Sequence, residues 1–130
     1  MKKRLPIFAT TDGRAKYIAA YEAMFTLWTV PHESIEVKTR YGYTFINATG
    51  PGDGHPLVLL HAAGLSSTAW FANIAELSHN FRVYAVDVIG DAGKSVADHL
   101  MEERVAYADW LREVFDGLNI DRGYLAGHSY

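Results

Sequence analysis

The last four residues, Gly127-His128-Ser129-Tyr130, follow the largely apolar triplet Tyr124-Leu125-Ala126. Glycine, one residue, then serine after a buried strand forms the first four positions of G-x-S-x-G. In that pattern a strand turns sharply into a helix and lifts a serine hydroxyl to the tip of the turn. Ser129 is therefore the candidate nucleophile, with Gly127 as its small neighbour. The alternative is a turn serine that only caps a following helix. Acyl transfer also needs backbone N–H groups aimed at the oxygen that gains charge. One would come from Tyr130, the residue after the serine. The other would come from His61-Ala62-Ala63-Gly64, which follows the apolar run Leu57-Val58-Leu59-Leu60. Ala63 is the candidate there, with Leu65 as the alternative. A plain strand-to-helix turn is the reading to set against both.

The histidines near these loops are poor bases on sequence grounds. His61 opens the loop and reads as structural, with its ring bonded to nearby backbone. His128 neighbours Ser129 in sequence, so its side chain should diverge from the hydroxyl. His32, His55, His79 and His99 have no ligand spacing, and no metal motif is present. Gly90-Asp91-Ala92-Gly93-Lys94-Ser95 imitates a phosphate-cradling loop. That loop needs four residues between its glycines, and here two separate Gly90 from Gly93, with Val88 where the first glycine should stand.

The elements that must position these residues follow from periodicity. Thr11-Asp12-Gly13 offers a helix start, and Ile18, Tyr21, Phe25 and Trp28 recur at spacings of three and four until Pro31. The period then changes to two. Ile35, Val37 and Thr39 alternate, Tyr41-Gly42 turns, and Tyr43, Phe45 and Asn47 alternate against Thr44, Ile46 and Ala48, which predicts a β-hairpin. Gly50 to Gly54 is a loop by composition. Leu57–Leu60, Val83–Val86 and Tyr124–Ala126 are short apolar runs of the kind covered on both faces. Between them, Thr68–Leu77 and Met101–Leu118 read as helices, the second with Val105, Ala108, Leu111, Phe115 and Leu118 inward. A hairpin followed by strand, helix, strand, helix, strand implies an α/β fold with parallel strands and helices on both faces of the sheet. Chemistry in such sheets gathers at the carboxyl ends of the strands.

The composition agrees with a globular chain: 130 residues, 49% hydrophobic and 21% charged. A net charge of −3 with scattered basic residues gives no electrostatic footprint for nucleic acid or anionic lipid. With no cysteine there is no disulfide scaffold and no thiolate metal site. No apolar run approaches the roughly 20 residues of a membrane span. Met1-Lys2-Lys3-Arg4 imitates the start of a signal peptide, but Leu5 to Ala9 is short and contains Pro6. The expectation is a cytoplasmic protein without a membrane or nucleic-acid partner.

Taken together, Leu57 to Gly64, Val86-Asp87-Val88-Ile89-Gly90 running to Gly93-Lys94-Ser95, and Leu125 to Ser129 resemble the α/β-hydrolase superfamily in order and spacing, over positions 33 to 130. The N-terminal helix, Asp87-Val88-Ile89-Gly90-Asp91 and Leu65-Ser66-Ser67-Thr68-Ala69-Trp70 are further similar to a bacterial subgroup named for carboxylesterase NP. Two local departures stand out. Ala62 occupies a position usually held by glycine, and the Asp-x-x-Gly-x-Gly-x-Ser loop has one extra residue between Gly90 and Gly93.

The resemblance implies a serine hydrolase acting on small carboxylic esters through an acyl-enzyme, with no cofactor. It also implies the chain order serine, then acid, then histidine, and only Tyr130 follows Ser129. The expectation is therefore a helical extension over residues 1–32, then the N-terminal half of a hydrolase domain over 33–130. The sheet would be incomplete, its last strand an open edge. The C-terminal half of the same hydrolase would supply the acid and base, and residues 1–130 alone would be inactive. Two other readings stay open: a non-catalytic fragment or binding module, and another acyl-transfer or haloperoxidase-like enzyme on the same scaffold.

Overall fold

The computed structural model describes residues 8–98 and 101–129. The basic stretch Met1–Arg4, His99 and the amide candidate Tyr130 lie outside the described residues. The strand order is β1-β2-β4-β3-β6, with β5 paired to β2. Strands β1 (Glu33–Thr39) and β2 (Gly42–Thr49) form the expected antiparallel hairpin, with Thr39 opposite Gly42. Strands β3 (His55–Leu60), β4 (Phe81–Val86) and β6 (Tyr124–Gly127) are parallel to one another. Strand β2 runs antiparallel to β4, so the sheet is mixed.

The unbroken apolar runs have the predicted cause. Leu57, Leu59, Val83 and Ala85 pack on one face with Trp28 and Ile74. Val58, Leu60, Tyr84 and Val86 pack on the other with Trp110 and Val114. Each strand thus needs apolar side chains at consecutive positions.

Four details differ from the sequence expectations. Helix α1 (Thr11–Ala23) is capped by Thr10, whose hydroxyl accepts the Gly13 N–H at 2.8 Å. It tightens to a 3-10 turn over Met24–Leu27 and so ends before Pro31. Trp28 then turns extended and is buried against the sheet. The segment expected as one helix over Thr68–Leu77 is a 3-10 stretch, Ser67–Ala72, and a single helical turn α2, Ile74–Leu77. Helix α3 (Arg104–Gly117) begins later than expected, and its inward face centres on Trp110 and Val114: Leu111, Phe115 and Leu118 pack against the core as expected, while Val105 and Ala108 do not. Trp110 and Val114 are buried, whereas Val105 is 66% exposed and Ala108 is also exposed. Trp110 sets that face, because its indole N–H donates to the buried Thr44 hydroxyl at 2.7 Å.

The fourth is β5 (Val96–Ala97), a strand not anticipated, which pairs with the start of β2. Gly42 admits it: a Cβ there would lie 2.0 Å from the Val96 carbonyl oxygen, and its φ is +134°.

Strand β6 pairs with β3 and, among the described residues, with nothing on its other edge. Tyr124 and Leu125 are 61% and 51% exposed there. Beside them a groove of about 600 Å³ is lined by Leu57, Leu59, Trp70, Leu77, Tyr124 and Leu125, among others. The indole N–H of Trp70 is buried without a partner among the described residues. No helix of the described residues is long and apolar enough to cross a membrane.

Candidate active site

Parallel pairing decides which loops meet. Leu60 of β3 is in register with Val86 of β4 on one side and Gly127 of β6 on the other. The segments after these three residues therefore emerge side by side at one end of the sheet, with neighbouring strands about 4.8 Å apart. Ala63 follows Leu60 by three residues and Ser129 follows Gly127 by two.

The segment after β6 departs from the sheet at once. The His128 N–H still donates to the Leu60 carbonyl at 3.0 Å, which ties the turn to β3. Ser129 then adopts φ +74°, a left-handed backbone uncommon for a residue with a Cβ. Such strain collects at functional sites, where the surrounding fold holds it in place. Ser129 and His128 are exposed. A Cβ built on Gly127 would meet nothing within 4 Å, so no described neighbour requires a glycine there.

The segment after β3 is a tight turn. The Leu65 N–H donates to the Ala62 carbonyl at 3.1 Å, and Gly64 takes φ +80°. This is a type II turn, whose third residue needs a positive φ and so favours glycine. The amide of Leu65 is consumed by that bond. The amide of Gly64 donates to the Asp91 carboxylate, at 3.0 Å to Oδ2. The Ala63 amide has no hydrogen-bond partner among the described residues, and the residue is exposed.

His61 is occupied structurally, as its sequence position suggested. Its ring is buried. The Val88 N–H donates to Nε2 at 3.0 Å, leaving Nδ1 to donate to the Ala62 carbonyl at 2.8 Å. With its Nε2 lone pair engaged, this ring is not a proton acceptor for a serine. Among the other histidines, His32 stacks on Phe25 at 4.1 Å between ring centroids. Burial pushes its pKa down, opposed by the charge of Glu22.

The loop after β4 supplies what sequence reasoning missed. Asp87 is fully buried, and its carboxylate accepts three hydrogen bonds: from the Tyr21 hydroxyl at 2.9 Å, the Ser67 N–H at 2.8 Å and the Lys94 N–H at 2.9 Å. Asn47 donates from Nδ2 to the Tyr21 hydroxyl at 2.8 Å and to the Ser67 hydroxyl at 2.9 Å. Burial, then the adjacent Asp87 charge, pushes the Tyr21 hydroxyl far above the usual tyrosine range. Helix α1 is thereby anchored to the roots of both loops. The stripe containing Tyr21 was visible in the sequence; its polar partners, 26 to 66 residues distant, were not.

Lys94 is not free for a phosphate. Its ammonium pairs with Glu22 and lies 4.9 Å from the Tyr21 ring centroid and 5.0 Å from that of Phe45. Gly93 is needed for contact, since a Cβ there would fall 2.9 Å from the Asp87 carboxyl carbon. No cluster of His, Cys, Asp or Glu among the described residues could hold a metal ion.

Comparison with known proteins places these loops in a family. The model of the alpha/beta hydrolase family matches residues 57–130, from β3 through the serine turn. Carboxylesterase YbfK of Bacillus subtilis is 43% identical over 122 residues, covering 94% of this chain and 41% of that protein. An uncharacterized carboxylesterase, nap, of the same organism is 44% identical over 119 residues, covering 92% of this chain and 40% of its own length. The crystal structure of naproxen esterase (carboxylesterase NP) from B. subtilis superposes with a TM-score of 0.88 at 43% identity, covering 94% of this chain and 42% of that one. The chain thus spans about two fifths of the length of these relatives and corresponds to their N-terminal part. On this evidence of sequence, sheet order and loop placement, the chain belongs to the α/β-hydrolase family, within its carboxylesterase NP-like bacterial subgroup.

Proposed function

We propose that this chain carries the nucleophile and the oxyanion-binding amides of an intracellular carboxylic-ester hydrolase. Residues 33–130 are the N-terminal half of its catalytic domain and residues 1–32 a helical extension. The observation that carries the reading is the pairing of β6 with β3. It sets a left-handed serine beside a turn with one unengaged amide. The relatives named as carboxylesterases support the ester as the substrate class.

In the proposed reaction, Ser129 Oγ attacks the acyl carbon of a small ester. The carbonyl oxygen takes up negative charge and is held by the N–H groups of Ala63 and Tyr130. Ala63 is favoured over Leu65 because the Leu65 N–H already closes the turn onto Ala62. The alcohol departs with a proton, leaving an acyl-serine, and water then releases the acid. An amide of this kind contributes about 10²–10³ in kcat. The proton must be carried by a base other than His61, whose ring nitrogens are both engaged. That base and its carboxylate partner belong to the C-terminal half of the same hydrolase. The engaged His61 ring also favours the second reading, a non-catalytic fragment or binding module that keeps the fold without the reaction.

A fluorophosphonate probe tests the nucleophile. The complete hydrolase carrying this chain should label on Ser129, and Ser129→Ala should abolish both labelling and turnover of p-nitrophenyl butyrate. Residues 1–130 alone should turn over the ester no faster than buffer. Labelling that survives Ser129→Ala overturns the assignment.

A further inference from the structure

His61 and the candidate amide of Ala63 are joined by a single peptide group. The Ala63 N–H belongs to the peptide whose carbonyl is that of Ala62. That oxygen accepts twice, from His61 Nδ1 at 2.8 Å and from the Leu65 N–H at 3.1 Å. The His61 ring is buried and is held at its far nitrogen, since Nε2 accepts the Val88 N–H at 3.0 Å. A neutral imidazole has one donor and one acceptor nitrogen. The Val88 contact therefore sets the tautomer and leaves the proton on Nδ1, facing the Ala62 oxygen.

We propose that His61 is a positioning residue for the oxyanion-binding amide, a role that rests on the reading of Ala63 given above. A peptide group is planar and, when trans, carries its N–H opposite its C=O. Two donors on the Ala62 oxygen thus aim the Ala63 N–H from the other end of the same rigid unit. The closing bond of the turn supplies one of them, across a glycine whose φ is free in sign. The imidazole supplies the second, from a ring that cannot rotate without giving up the Val88 amide. The same two bonds act electronically. Hydrogen bonds in a chain polarise one another, and a carbonyl that accepts two draws density from its own nitrogen, which makes the Ala63 N–H a stronger donor. The ring reaches the reacting oxygen through one peptide, without touching it.

Two variants of the complete hydrolase separate positioning from mere support. His61→Leu removes both the donor and the acceptor. His61→Asn keeps an amide N–H at the place of Nδ1 and loses only the acceptor. Both should unfold at lower denaturant, because both leave the Val88 N–H without its partner. Only the leucine variant should lose rate. Its kcat for p-nitrophenyl butyrate should fall about tenfold, short of the loss of a whole oxyanion donor, with KM unchanged, and the asparagine variant should stay within about threefold of the wild type. Equal kcat in the two variants overturns the proposal, whether both rates fall or neither does, as does a rise in KM alone. Ala63→Pro tests the amide beneath it. Proline suits the second position of a type II turn, so the substitution deletes the N–H and keeps the turn. The kcat should then fall by about 10²–10³. An unchanged rate there strikes the Ala63 reading, and the His61 role with it. A loss there with equal rates in the two His61 variants strikes His61 alone. One measurement needs no variant to fold: nitrogen NMR of the wild-type imidazole should find the proton on Nδ1, with a coupling across the hydrogen bond to the Ala62 carbonyl carbon. A proton on Nε2 overturns the role.

Discussion

At the residue scale, the least replaceable group is one that touches no proposed reacting atom. The Asp87 carboxylate is fully buried and satisfies two loop amides and a buried phenol. Asp87→Ala would leave all three donors without that acceptor, and an unsatisfied buried group costs about 1–3 kcal/mol. The expected loss is about 3 kcal/mol or more in urea unfolding, and both loops should become protease-sensitive. Tyr21 predicts a pH dependence of definite sign. Its folded-state pKa is raised, so the unfolded chain gives up the phenolic proton first. The stabilisation from keeping the proton is whole below the ordinary tyrosine pKa of about 10 and is lost as pH rises above it. The wild type should therefore lose more stability between pH 9 and 11 than Tyr21→Phe, measured by denaturant midpoints. Equal slopes would remove the linkage.

At the scale of elements, what was legible in the sequence depended on how many residues carried the signal. The hairpin was readable because residues alternate over 35–39 in β1 and 43–48 in β2, and β3 and β4 because consecutive apolar residues need cover on both faces, whereas β6 was readable as an apolar run although Tyr124 and Leu125 are exposed. The serine turn and the Ala62–Leu65 turn were readable as motifs. Two residues cannot display a period, so β5 was invisible. In helix α3, Leu111, Phe115 and Leu118 were placed inward correctly and Val105 was not, because it matches the apolar spacing while the decisive contact is a tryptophan N–H finding a threonine on β2. The Asp87 network was invisible for the same reason: its members share space without sharing a local pattern. The element-scale prediction falls on β5. Gly42→Ala places a Cβ against the Val96 carbonyl and strains a positive φ, at about 1–3 kcal/mol for the backbone alone. It should detach β5, and faster amide exchange at Val96 and Ala97 than in the rest of the sheet would report it.

At the scale of the whole molecule, the two ends of the sheet are unlike. On the β1 side the hairpin is packed by α3, where Gly117 allows close approach to Val37 and Arg40 pairs with Glu113 at 3.0 Å. On the other side β6 has, among the described residues, no strand on its outer edge, and it lies beside two exposed apolar side chains and a groove. An edge of that kind is a template for another strand. Residues 1–130 in isolation should therefore self-associate, with sedimentation velocity showing species larger than 14.5 kDa that grow with concentration. Leu125→Lys places a charge on the exposed edge, a common device against strand addition, and should shift the distribution toward monomer. The substitution touches neither core cluster, so stability should change by no more than about 0.5 kcal/mol. A wild-type chain that stays monomeric over the same concentrations would show that the edge is protected by some other means, and association undiminished by Leu125→Lys would move the contact elsewhere on the surface.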